Sequence, residues 1–501
     1  MAASTRNLLA FDLGAESGRA LLGRFDGRRL TLEEQHRFAN PNGRLNGHLY
    51  WNLLAQWEEL KTGLRKAAAG TAIHAIGVDT WGVDFGFLDK GGDLLANPHM
   101  YRDPQTDGMM DKAFARVPRS EIFEATGIQF MQLNSLYHLM ALNERKSPVL
   151  DCARTMLFVP DLFNYFFTGE RFAEFSIATT SQMYDPRKKA WATGMLDRLG
   201  LPTHFLPHIV SSGTRLGNVQ ASVAEECGIG ADVPVIAPGC HDTASAVAAV
   251  PATGDDWCYI SSGTWSLMGV EVREPIIDAK SLALNYTNEG GVAGDFRFLK
   301  NIMGLWLVQE CRRQWAKDGQ EFGYGELTQM AAQAPAFRAV LDPDHRPFLT
   351  PGQMPRKIAA FCAQTGQAAP ASPGAFVRTC LEGLALTYRK TLEGLEDVLG
   401  RRIGVIHIVG GGAQNELLNQ MTADACDRPV VAGPVEATAI GNMLVTATAL
   451  GDVRDLAQAR QVVRASFDVT RYEPANTAAW DGAYGRYRNV RRHDTGEDMK
   501  T

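Results

Sequence analysis

Residues 12–19 (Asp-Leu-Gly-Ala-Glu-Ser-Gly-Arg) have the composition of a loop that binds phosphate. Gly14 and Gly18 expose backbone N–H groups without side-chain obstruction, and such groups can donate to phosphate oxygens. Asp12 follows the apolar run 8–11, so its carboxylate is expected at the end of a strand, where it can hold Mg²⁺. Asp and Gly are also ordinary residues of hairpin turns, so this segment alone leaves both interpretations open.

A second candidate is Asp242, which follows the apolar stretch 233–237 and is expected at a strand end or a helix start. A carboxylate there can accept the proton of an attacking hydroxyl, which is the role of the base in phosphoryl transfer. Asp is also a favoured N-cap before a helix, and the two roles are compatible. His241 has no other His or Cys at ligand spacing, so we expect it to bond a substrate hydroxyl and not a metal.

Two further segments place small residues between predicted elements. Residues 261–266 (Ser-Ser-Gly-Thr-Trp-Ser) either clamp phosphates or close a hairpin. Three glycines at 410–412 lie between a predicted strand, 405–409, and a helix, 416–426, where the backbone can approach a nucleotide closely. The dinucleotide fingerprint Gly-x-Gly-x-x-Gly is not matched because position 415 is Asn, and Gly-x-x-x-x-Gly-Lys-Ser/Thr does not occur. The absence of the second motif argues against a P-loop nucleoside triphosphatase.

The predicted elements show a similar opening in each half of the chain. The first half has predicted strands at 8–11, 20–25, 31–38 and 76–78 and a helix at 53–64. Strands at 257–260 and 265–270 repeat the hairpin, and apolar spacing predicts a helix over 381–399 that stops at Gly400. Strands that alternate with helices predict an α/β protein. The duplicated hairpins suggest two actin-like domains facing one cleft, linked by residues 251–256.

Length and composition limit the classes of function. A chain of 501 residues is too long for one compact core, and 45% hydrophobic and 21% charged residues are typical of a globular protein. A net charge of −6 argues against a nucleic-acid binder. No apolar run approaches the roughly 20 residues that span a bilayer, and the short polar N-terminus does not resemble a secretory signal. We therefore expect a cytoplasmic protein without nucleic-acid or membrane partners.

The eight cysteines are scattered singly, without a Cys-x-x-Cys pair, which argues against a zinc ribbon or a thioredoxin-type site. Reduced thiols are the expectation, and pairing of Cys362 with Cys380 is left open. Trp81 can stack on a sugar, although aromatic residues in apolar runs usually belong to the core. The helix after Glu436 is rich in small residues, which permits close packing. The charged tail 491–501 lacks apolar periodicity and is expected to be frayed.

Together these segments resemble the FGGY family of carbohydrate kinases, from Asp12 to Asn442. The matching blocks follow the family order: Asp-Leu-Gly-Ala at 12–15 with Gly-Arg at 18–19, Asp-Thr-Trp-Gly-Val-Asp at 79–84, His-Asp-Thr-Ala-Ser-Ala at 241–246, Ser-Ser-Gly-Thr-Trp-Ser at 261–266, and Gly-Gly-Gly at 410–412 with Gly-Pro-Val-Glu-Ala at 433–437. The resemblance implies two ribonuclease H-like domains that face an interdomain cleft. Residues 1–245 would carry the sugar site and the base, and residues 246–490 would bind the nucleotide.

The resemblance also implies a reaction and a role for particular residues. The reaction is transfer of phosphate from MgATP to a small ketose, with Asp242 as the base and Asp12 organising Mg²⁺. The implied sugar contacts are Trp81, Gly82, Arg102, His241, Asp242 and Thr243. The implied ATP contacts are Ala15, Glu16, Ser17, Gly18, Arg19, Thr264, Asn301, Gln309 and Gly411. Many relatives have Thr at the position of Ala15; Ser17 is the candidate replacement, and Glu16 is expected to point away from phosphate or toward the metal.

The segment 300–306 (Lys-Asn-Ile-Met-Gly-Leu-Trp) resembles one branch of the family, which implies L-rhamnulose as substrate and L-rhamnulose 1-phosphate as product. One alternative is a sibling kinase for another ketose, such as L-fuculose or D-xylulose. Another is a non-catalytic actin-like sugar sensor. The chain lacks a DNA-binding arm and the cysteine-rich zinc loop of sugar-sensing relatives, which favours the kinase. The sequence leaves open whether the chain is a monomer or a homodimer.

Overall fold

The computed structural model describes residues 5–495, in which strands alternate with helices as predicted. The strands are β1 Arg6–Leu13, β2 Ser17–Phe25, β3 Leu30–Ala39, β4 Asn42–Leu45, β5 His48–Trp51, β6 Ala75–Thr80, β7 Phe85–Leu88, β8 Thr155–Phe158, β9 Phe172–Glu174, β10 Tyr184–Asp185, β11 Ala190–Trp191, β12 His208–Val210, β13 Arg215–Asn218, β14 Pro234–Ile236, β15 Trp257–Ser262, β16 Trp265–Val272, β17 Thr287–Gly290, β18 Phe296–Met303, β19 Val405–Val409, β20 Val430–Ala432 and β21 Thr470–Tyr472.

The α-helices include each one that the apolar spacing predicted. They are α1 Leu53–Ala68, α2 Met109–Arg116, α3 Arg119–Thr126, α4 Ser135–Glu144, α5 Pro148–Cys152, α6 Val159–Thr168, α7 Phe175–Thr179, α8 Thr193–Arg198, α9 Ala221–Cys227, α10 Asp242–Ala248, α11 Ala279–Leu284, α12 Trp306–Lys317, α13 Tyr324–Gln333, α14 Met354–Gln364, α15 Pro373–Leu399, α16 Glu416–Cys426, α17 Ala437–Ala449, α18 Leu456–Ser466 and α19 Thr477–Thr495.

The chain forms two compact units, each built from separate segments. Unit 1 contains the described residues up to Pro251, Glu271–Leu299 and Glu436–Phe467; unit 2 contains Ala252–Val270, Lys300–Val435 and the described residues from Asp468 onward. The predicted boundary between residues 245 and 246 falls inside α10, because that helix continues to Ala248. The chain first leaves unit 1 after Pro251, at the start of the predicted linker. The predicted two-domain α/β organisation is confirmed, but the units are not consecutive halves of the chain.

A six-stranded sheet in unit 1 has the strand order β13-β14-β6-β1-β2-β3. β1 pairs antiparallel with β2 and parallel with β6, and Asp12 lies opposite Asp79 in the parallel pair. Six of the eight residues of β1, from Leu8 to Leu13, are buried. A strand covered on both faces has a continuous apolar run, which is why the pattern at 8–11 predicted it correctly.

A second sheet has seven strands in the order β17-β18-β16-β15-β19-β20-β21. β15 pairs antiparallel with β16 and parallel with β19, as β1 does with β2 and β6. The predicted repetition of the opening hairpin is therefore confirmed. The described part of the first hairpin also extends to a third strand, β3, at the predicted position.

Within unit 1, α17 packs closely on α10 and β6 because two glycines leave room for it. A Cβ added to Gly441 would lie 1.7 Å from the carbonyl oxygen of Ser245, and one added to Gly77 would lie 2.2 Å from Oδ1 of Asn442. Any side chain at either position would force the elements apart. This contact agrees with the prediction that small residues after Glu436 allow close packing, and it brings Asn442 to the end of β6.

Two helices differ in length from the predictions. α15 begins at Pro373 and not at residue 381, because the Ser372 side chain caps the helix by accepting from the N–H of Ala375 at 3.3 Å. α19 continues to Thr495 and so includes the first part of the predicted frayed tail, while residues 496–501 lie outside the described residues. All eight cysteines, including Cys362 and Cys380, are free. None of the helices in residues 5–495 is long and apolar enough to cross a membrane.

Candidate active site

Three carboxylates meet at one edge of the unit 1 sheet, and we call Asp12, Asp79 and Asp242 the carboxylate cluster. Asp12 and Asp79 are register partners near the ends of the parallel strands β1 and β6. The start of α10 is attached to the same edge, because the N–H of Thr80 donates to the carbonyl oxygen of Cys240 at 2.9 Å. This bond places His241 and Asp242 beside the strand that carries Asp79.

Asp79 is the most confined member of the cluster. Burial raises its pKa well above the usual range, and the negative charges of Asp12 and Asp242 raise it further. The Nδ2 of Asn442 donates to its Oδ2 at 2.7 Å, which favours the ionised form. Its other oxygen, Oδ1, is buried and has no hydrogen-bond partner among residues 5–495. A carboxylate oxygen without a hydrogen-bond donor, next to two other carboxylates, is a suitable ligand for a cation.

Arg19 lies on β2 directly opposite Asp12. Its Nη2 donates to Asp12 Oδ2 at 2.5 Å, and its Nη1 donates to Glu436. Burial opposes the charge on the guanidinium, but the two carboxylates outweigh it and raise the pKa of Arg19. The side chain predicted to contact phosphate is thus a fixed cation beside the carboxylate cluster, held at its position by Glu436.

The turn between β1 and β2 is held by Asn40. The N–H of Gly14 donates to the Ser17 carbonyl at 3.0 Å, the N–H of Asn40 donates to the Glu16 carbonyl at 3.0 Å, and the Asn40 side chain donates to the carbonyl of Gly14. Glu16 is exposed. Gly18 also has a packing role, because an added Cβ would lie 2.2 Å from the Phe38 ring.

Asp242 is the accessible member of the carboxylate cluster. Its side chain is 29% exposed, compared with 6% for that of Asp12, and Asp79 is fully buried. Burial raises the pKa of Asp242, the charge of His241 lowers it, Asp12 raises it, and a 3.0 Å bond from Thr243 Oγ1 lowers it. Asp242 is the first residue of α10, and His241 is the N-cap residue. Asp242 is therefore not the N-cap, which was the other role considered for it.

His241 is positioned by two residues that no motif indicated. Its Nδ1 lies 3.1 Å from Nη2 of Arg297 and 3.2 Å from Oε2 of Glu289. Arg297 is fully buried, and its Nε donates to the Gly290 carbonyl at 2.9 Å. The opposite nitrogen, Nε2, lies 3.4 Å from Asp242 Oδ1. The imidazole is therefore fixed between a buried ion pair and the proposed base.

Gly82 lies against this imidazole, since an added Cβ would be 3.4 Å from His241 Nε2. Its neighbour Trp81 is 6% exposed, donates from Nε1 to Asp84 Oδ2 at 2.9 Å and packs at a tilt of 38° against Trp51, with ring centroids 4.2 Å apart. The structure thus brings Gly82, His241, Asp242 and Thr243 together, whereas the Trp81 ring is part of the core, which was the alternative for this residue.

Arg102 lies in the loop before Asp103, with Cζ 5.2 Å from the ring centroid of Tyr101. The N–H of Tyr101 donates to Asp84 Oδ2 at 3.2 Å. Burial raises the pKa of Asp84 to about 7, although the Trp51 and Trp81 indoles and this backbone bond favour its ionised form. The loop of Arg102 is thus attached to the segment that carries Gly82.

In unit 2, the turn between β15 and β16 is joined to the start of α12. The carbonyl of Thr264 accepts from the N–H groups of Gly304 at 3.1 Å and Trp306 at 3.2 Å. Gln309 follows in the first turn of α12, and its Oε1 is buried without a hydrogen-bond partner in the described part of the chain. Asn301 lies on β18, near the same end. Unit 2 thus gathers Thr264, Asn301 and Gln309.

The glycine turn of unit 2 packs on the same serine–threonine segment. Gly410 has a φ of 85°, in the left-handed region that favours glycine. A Cβ on Gly412 would lie 2.0 Å from Ser262 Oγ, so this turn approaches the β15–β16 turn as closely as glycine allows. A Cβ on Gly411 would meet no described atom within 4 Å, which leaves its backbone open to a ligand.

Asp79, Glu436 and Asn442 belong to the site but were not assigned from the sequence. A signal existed for Asp79, because it follows the predicted strand 76–78 as Asp12 follows 8–11. Two parallel strands that both end in Asp predict adjacent carboxylates. Glu436 and Asn442 gave no such local signal, since they are more than 350 residues from their partners in sequence.

The fold defines a class of protein, the two-domain α/β proteins whose domains each contain a mixed sheet. A xylulose kinase from Lactobacillus acidophilus matches this structure with a TM-score of 0.80, covering 97% of this chain and 98% of that chain at 17% identity. Plasmodium falciparum glycerol kinase with ADP matches with a TM-score of 0.76, covering 98% of both chains at 13% identity. At these identities the likeness shows the fold alone, and it confirms the predicted fold class.

Sequence comparison narrows the class to a family. The N-terminal domain model of the FGGY family of carbohydrate kinases matches residues 7–249, and the C-terminal domain model matches residues 258–450. The chain belongs to the FGGY family of carbohydrate kinases. It is 44% identical over 488 residues to a rhamnulokinase of Bacteroides thetaiotaomicron, covering 97% of this chain and 100% of the relative. It is 40% identical over 501 residues to a rhamnulokinase of Pectobacterium atrosepticum, covering 99% of both chains.

Proposed function

We propose that this chain transfers the γ-phosphoryl group of ATP to L-rhamnulose, giving L-rhamnulose 1-phosphate and ADP in the catabolism of L-rhamnose. Identities of 40–44% to rhamnulokinases, over nearly the full length of each chain, support the substrate. The observation that carries the chemistry is the carboxylate cluster, in which Asp242 alone is accessible to a substrate. The free thiols and the use of ATP support a cytoplasmic location.

Asp242 is the proposed base. It accepts the proton of the C1 hydroxyl as that oxygen attacks the γ-phosphorus and the bond to the bridging oxygen of ADP breaks. The base must be ionised, and the pKa of Asp242 is raised by burial and by Asp12. His241 and Thr243 favour the ionised carboxylate and so keep it competent. A raised pKa also makes it a better proton acceptor than an exposed Asp.

Asp12 and Asp79 are the proposed residues that hold Mg²⁺, directly or through water. Both offer hard carboxylate oxygens, and the orphan Oδ1 of Asp79 fits a cation. When bound, Mg²⁺ neutralises charge on the transferred phosphate. Arg19 contributes a second, permanent positive charge at the same edge, and the turn residues Ala15 to Ser17 present their backbone toward the phosphates.

Gly82, His241 and Thr243 are the proposed sugar contacts, with Arg102 as a further candidate. The Glu289–Arg297 pair fixes the His241 imidazole, so a sugar hydroxyl has to match its geometry. A mismatched ketose leaves a buried polar group unpaired, which costs about 1–3 kcal/mol, or about 5- to 150-fold in kcat/KM. Thr264, Asn301, Gln309 and Gly411 are the proposed contacts of the nucleotide in unit 2.

A panel of sugars tests the proposal. L-Rhamnulose, L-fuculose, D-xylulose, L-ribulose, D-fructose and glycerol are assayed with MgATP, with ADP release as the readout. L-Rhamnulose should give the highest kcat/KM by at least about fivefold. A higher value for another ketose would overturn the substrate assignment but leave the kinase chemistry intact. Release of ADP with none of the sugars would contradict the proposed function as a whole.

A further inference from the structure

We propose that His48, His99 and Asp103 of unit 1 form a binding site for a divalent transition-metal ion, with Zn²⁺ as the reference ion. One nitrogen of each histidine and one carboxylate oxygen lie within 4.8 Å of one another. His48 Nδ1 is 3.0 Å from Asp103 Oδ1, and His99 Nδ1 is 3.8 Å from Asp103 Oδ2. None of these residues belongs to the carboxylate cluster.

The separations fit a tetrahedral ion. Zn²⁺ binds His nitrogen and Asp oxygen at about 2.0–2.1 Å, so neighbouring ligand atoms of a tetrahedron are roughly 3.4 Å apart. The two measured separations, 3.0 Å to Oδ1 and 3.8 Å to Oδ2, involve different oxygens of Asp103, but the candidate ligand atoms all lie within 4.8 Å of one another, so small side-chain rotations bring one oxygen and both nitrogens to that spacing. The donor set of two imidazoles and one carboxylate suits Zn²⁺, Co²⁺ or Ni²⁺ better than Mg²⁺ or Ca²⁺, which prefer oxygen. Three protein ligands leave one position of the tetrahedron for water. The side chain of His48 is 32% exposed, so solvent can reach this site.

The backbone holds the three ligands before any ion is present. The N–H of Met100 donates to the Leu49 carbonyl at 2.9 Å, and the N–H of Leu49 donates to Asp103, so the start of β5 is tied to the loop 99–103. The His99 ring packs on Tyr50, with centroids 4.4 Å apart, and edge-on against His48 at 5.3 Å. These contacts restrict the rotation of both imidazoles, which lowers the entropy cost of binding an ion.

The charges of the site formed by His48, His99 and Asp103 favour a cation. The side chain of Asp103 is fully buried. Its oxygens accept from His48 Nδ1 at 3.0 Å and from the N–H groups of Leu49 and Gln105, donors that favour the carboxylate form. The guanidinium of Arg145 lies 3.0 Å from His99 Nε2, so that nitrogen accepts a hydrogen bond and the imidazole is neutral. An ionised carboxylate beside a neutral imidazole is the state in which these groups bind metals.

Arg145 opposes the ion in the present arrangement. Its Nη2 lies 3.0 Å from His99 Nε2, so that nitrogen accepts and the ring proton is on Nδ1. Binding through Nδ1 requires the proton to move to Nε2 and the guanidinium to withdraw. Arg145 is exposed and can do so. Replacing its guanidinium with an apolar group should therefore strengthen binding, a result that a purely structural His–Asp–His arrangement would not give.

The test measures Zn²⁺ binding to the full chain, without a histidine tag and without ATP, after chelator treatment and dialysis. Titration calorimetry should give one ion per chain for the parent protein. His48→Gln and His99→Gln keep polar side chains of similar size and should weaken binding by more than the roughly 10–100-fold that loss of an outer-shell partner costs. Arg145→Met should tighten binding several-fold. His208→Ala, an exposed histidine elsewhere in unit 1, and Cys152→Ser, the exposed thiol, should bind as the parent does.

Two further measurements separate the outcomes. Zn²⁺ should raise the melting temperature of the parent but not of the two glutamine variants, whose folding in the absence of metal is checked by circular dichroism. Co²⁺ should bind without the intense thiolate charge-transfer band in the near ultraviolet. Absence of Zn²⁺ uptake by the parent would overturn the proposal. So would parent-like binding in both folded glutamine variants, or weaker binding in Arg145→Met.

Discussion

Each unit contains a hairpin whose first strand also pairs in parallel with a later strand: β1 with β2 and β6, and β15 with β16 and β19. One residue before the end of these ladders, Asp12 lies opposite Arg19 and Asp79. In the other hairpin, Ser261 is likewise one residue before the end of the β15–β16 ladder, where it lies opposite Leu267, and it is the last residue of the β15–β19 ladder, where it lies opposite Val409. The same backbone arrangement thus carries an ionic set of residues in one unit and a neutral set in the other.

Under the proposed function, this difference corresponds to two tasks. Moving a proton and holding a cation require carboxylates, and unit 1 places them where burial and mutual repulsion change their pKa values. Holding a nucleotide requires close approach and neutral hydrogen bonds, which the glycines, hydroxyls and amide of the proposed nucleotide contacts in unit 2 would provide. Substitutions in the carboxylate cluster should therefore change turnover, and substitutions of the proposed nucleotide contacts in unit 2 should change the KM for ATP.

The largest effect is expected for Asp242→Asn. Loss of the base should lower kcat by about 10²–10⁴-fold, while the KM for the sugar changes much less because Asn keeps the size of the side chain. Steady-state kinetics with L-rhamnulose measure both constants, and circular dichroism checks the fold. Near-normal turnover in a folded variant would remove Asp242 from the mechanism and weaken the contrast between the units.

The next effect concerns the metal, and the repeated hairpin supplies its control. Asp12→Ala should lower kcat by tenfold or more and raise the Mg²⁺ concentration needed for half-maximal rate, because the carboxylate that holds the ion is lost. Ser261→Ala changes the equivalent position of the other hairpin and should leave the Mg²⁺ dependence unchanged. An equal shift in both variants, or in neither, would contradict the assignment of the metal to unit 1.

A smaller effect is expected in unit 2. Gln309→Met keeps the length of the side chain but removes the buried amide, so the KM for ATP should rise by roughly 5- to 10-fold, the worth of about 1–1.4 kcal/mol from one hydrogen bond. The kcat and the KM for the sugar should stay within about twofold. A fall in kcat without a change in the KM for ATP would show that the two tasks are not divided as proposed.

The smallest effect concerns stability and pH. Because the folded pKa of Asp79 is raised above its unfolded value, the folded chain binds more protons in the interval between them, and stability falls as pH rises through it. Asp79→Asn removes that loss, so without Mg²⁺ the variant should melt on the order of 1–2 °C higher than the parent at pH 7.5.

Scanning calorimetry at a series of pH values measures this difference. It should vanish below about pH 4, where Asp79 is protonated in both states. Ser262→Ala is the matched control, because it alters a buried residue of unit 2 that does not titrate. If the melting temperature of Asp79→Asn is higher than that of the parent by the same amount at every pH, better packing, and not loss of the buried charge, is the cause.

Local pattern was enough for much of the fold and for part of the site. The apolar run 8–11 predicted β1, apolar side chains at helical spacing predicted most of α15, and the small residues after Glu436 predicted the close packing of α17. Asp12 and Asp242 were identified because each follows an apolar strand, where a carboxylate is held at a sheet edge. Such signals lie within about ten residues of the position concerned, so sequence reasoning can find them.

The partners of these residues were decided by tertiary structure alone. Asn442 reaches Asp79 across 363 residues, and Arg297 and Glu289 reach His241 across about 50, without a shared motif. The raised pKa values of Asp79 and Asp242 likewise depend on burial by distant segments. Local sequence is enough to say which side chains end the strands, because strand formation is local. Only the fold decided which of those side chains share a low-dielectric environment, because that depends on how distant segments pack.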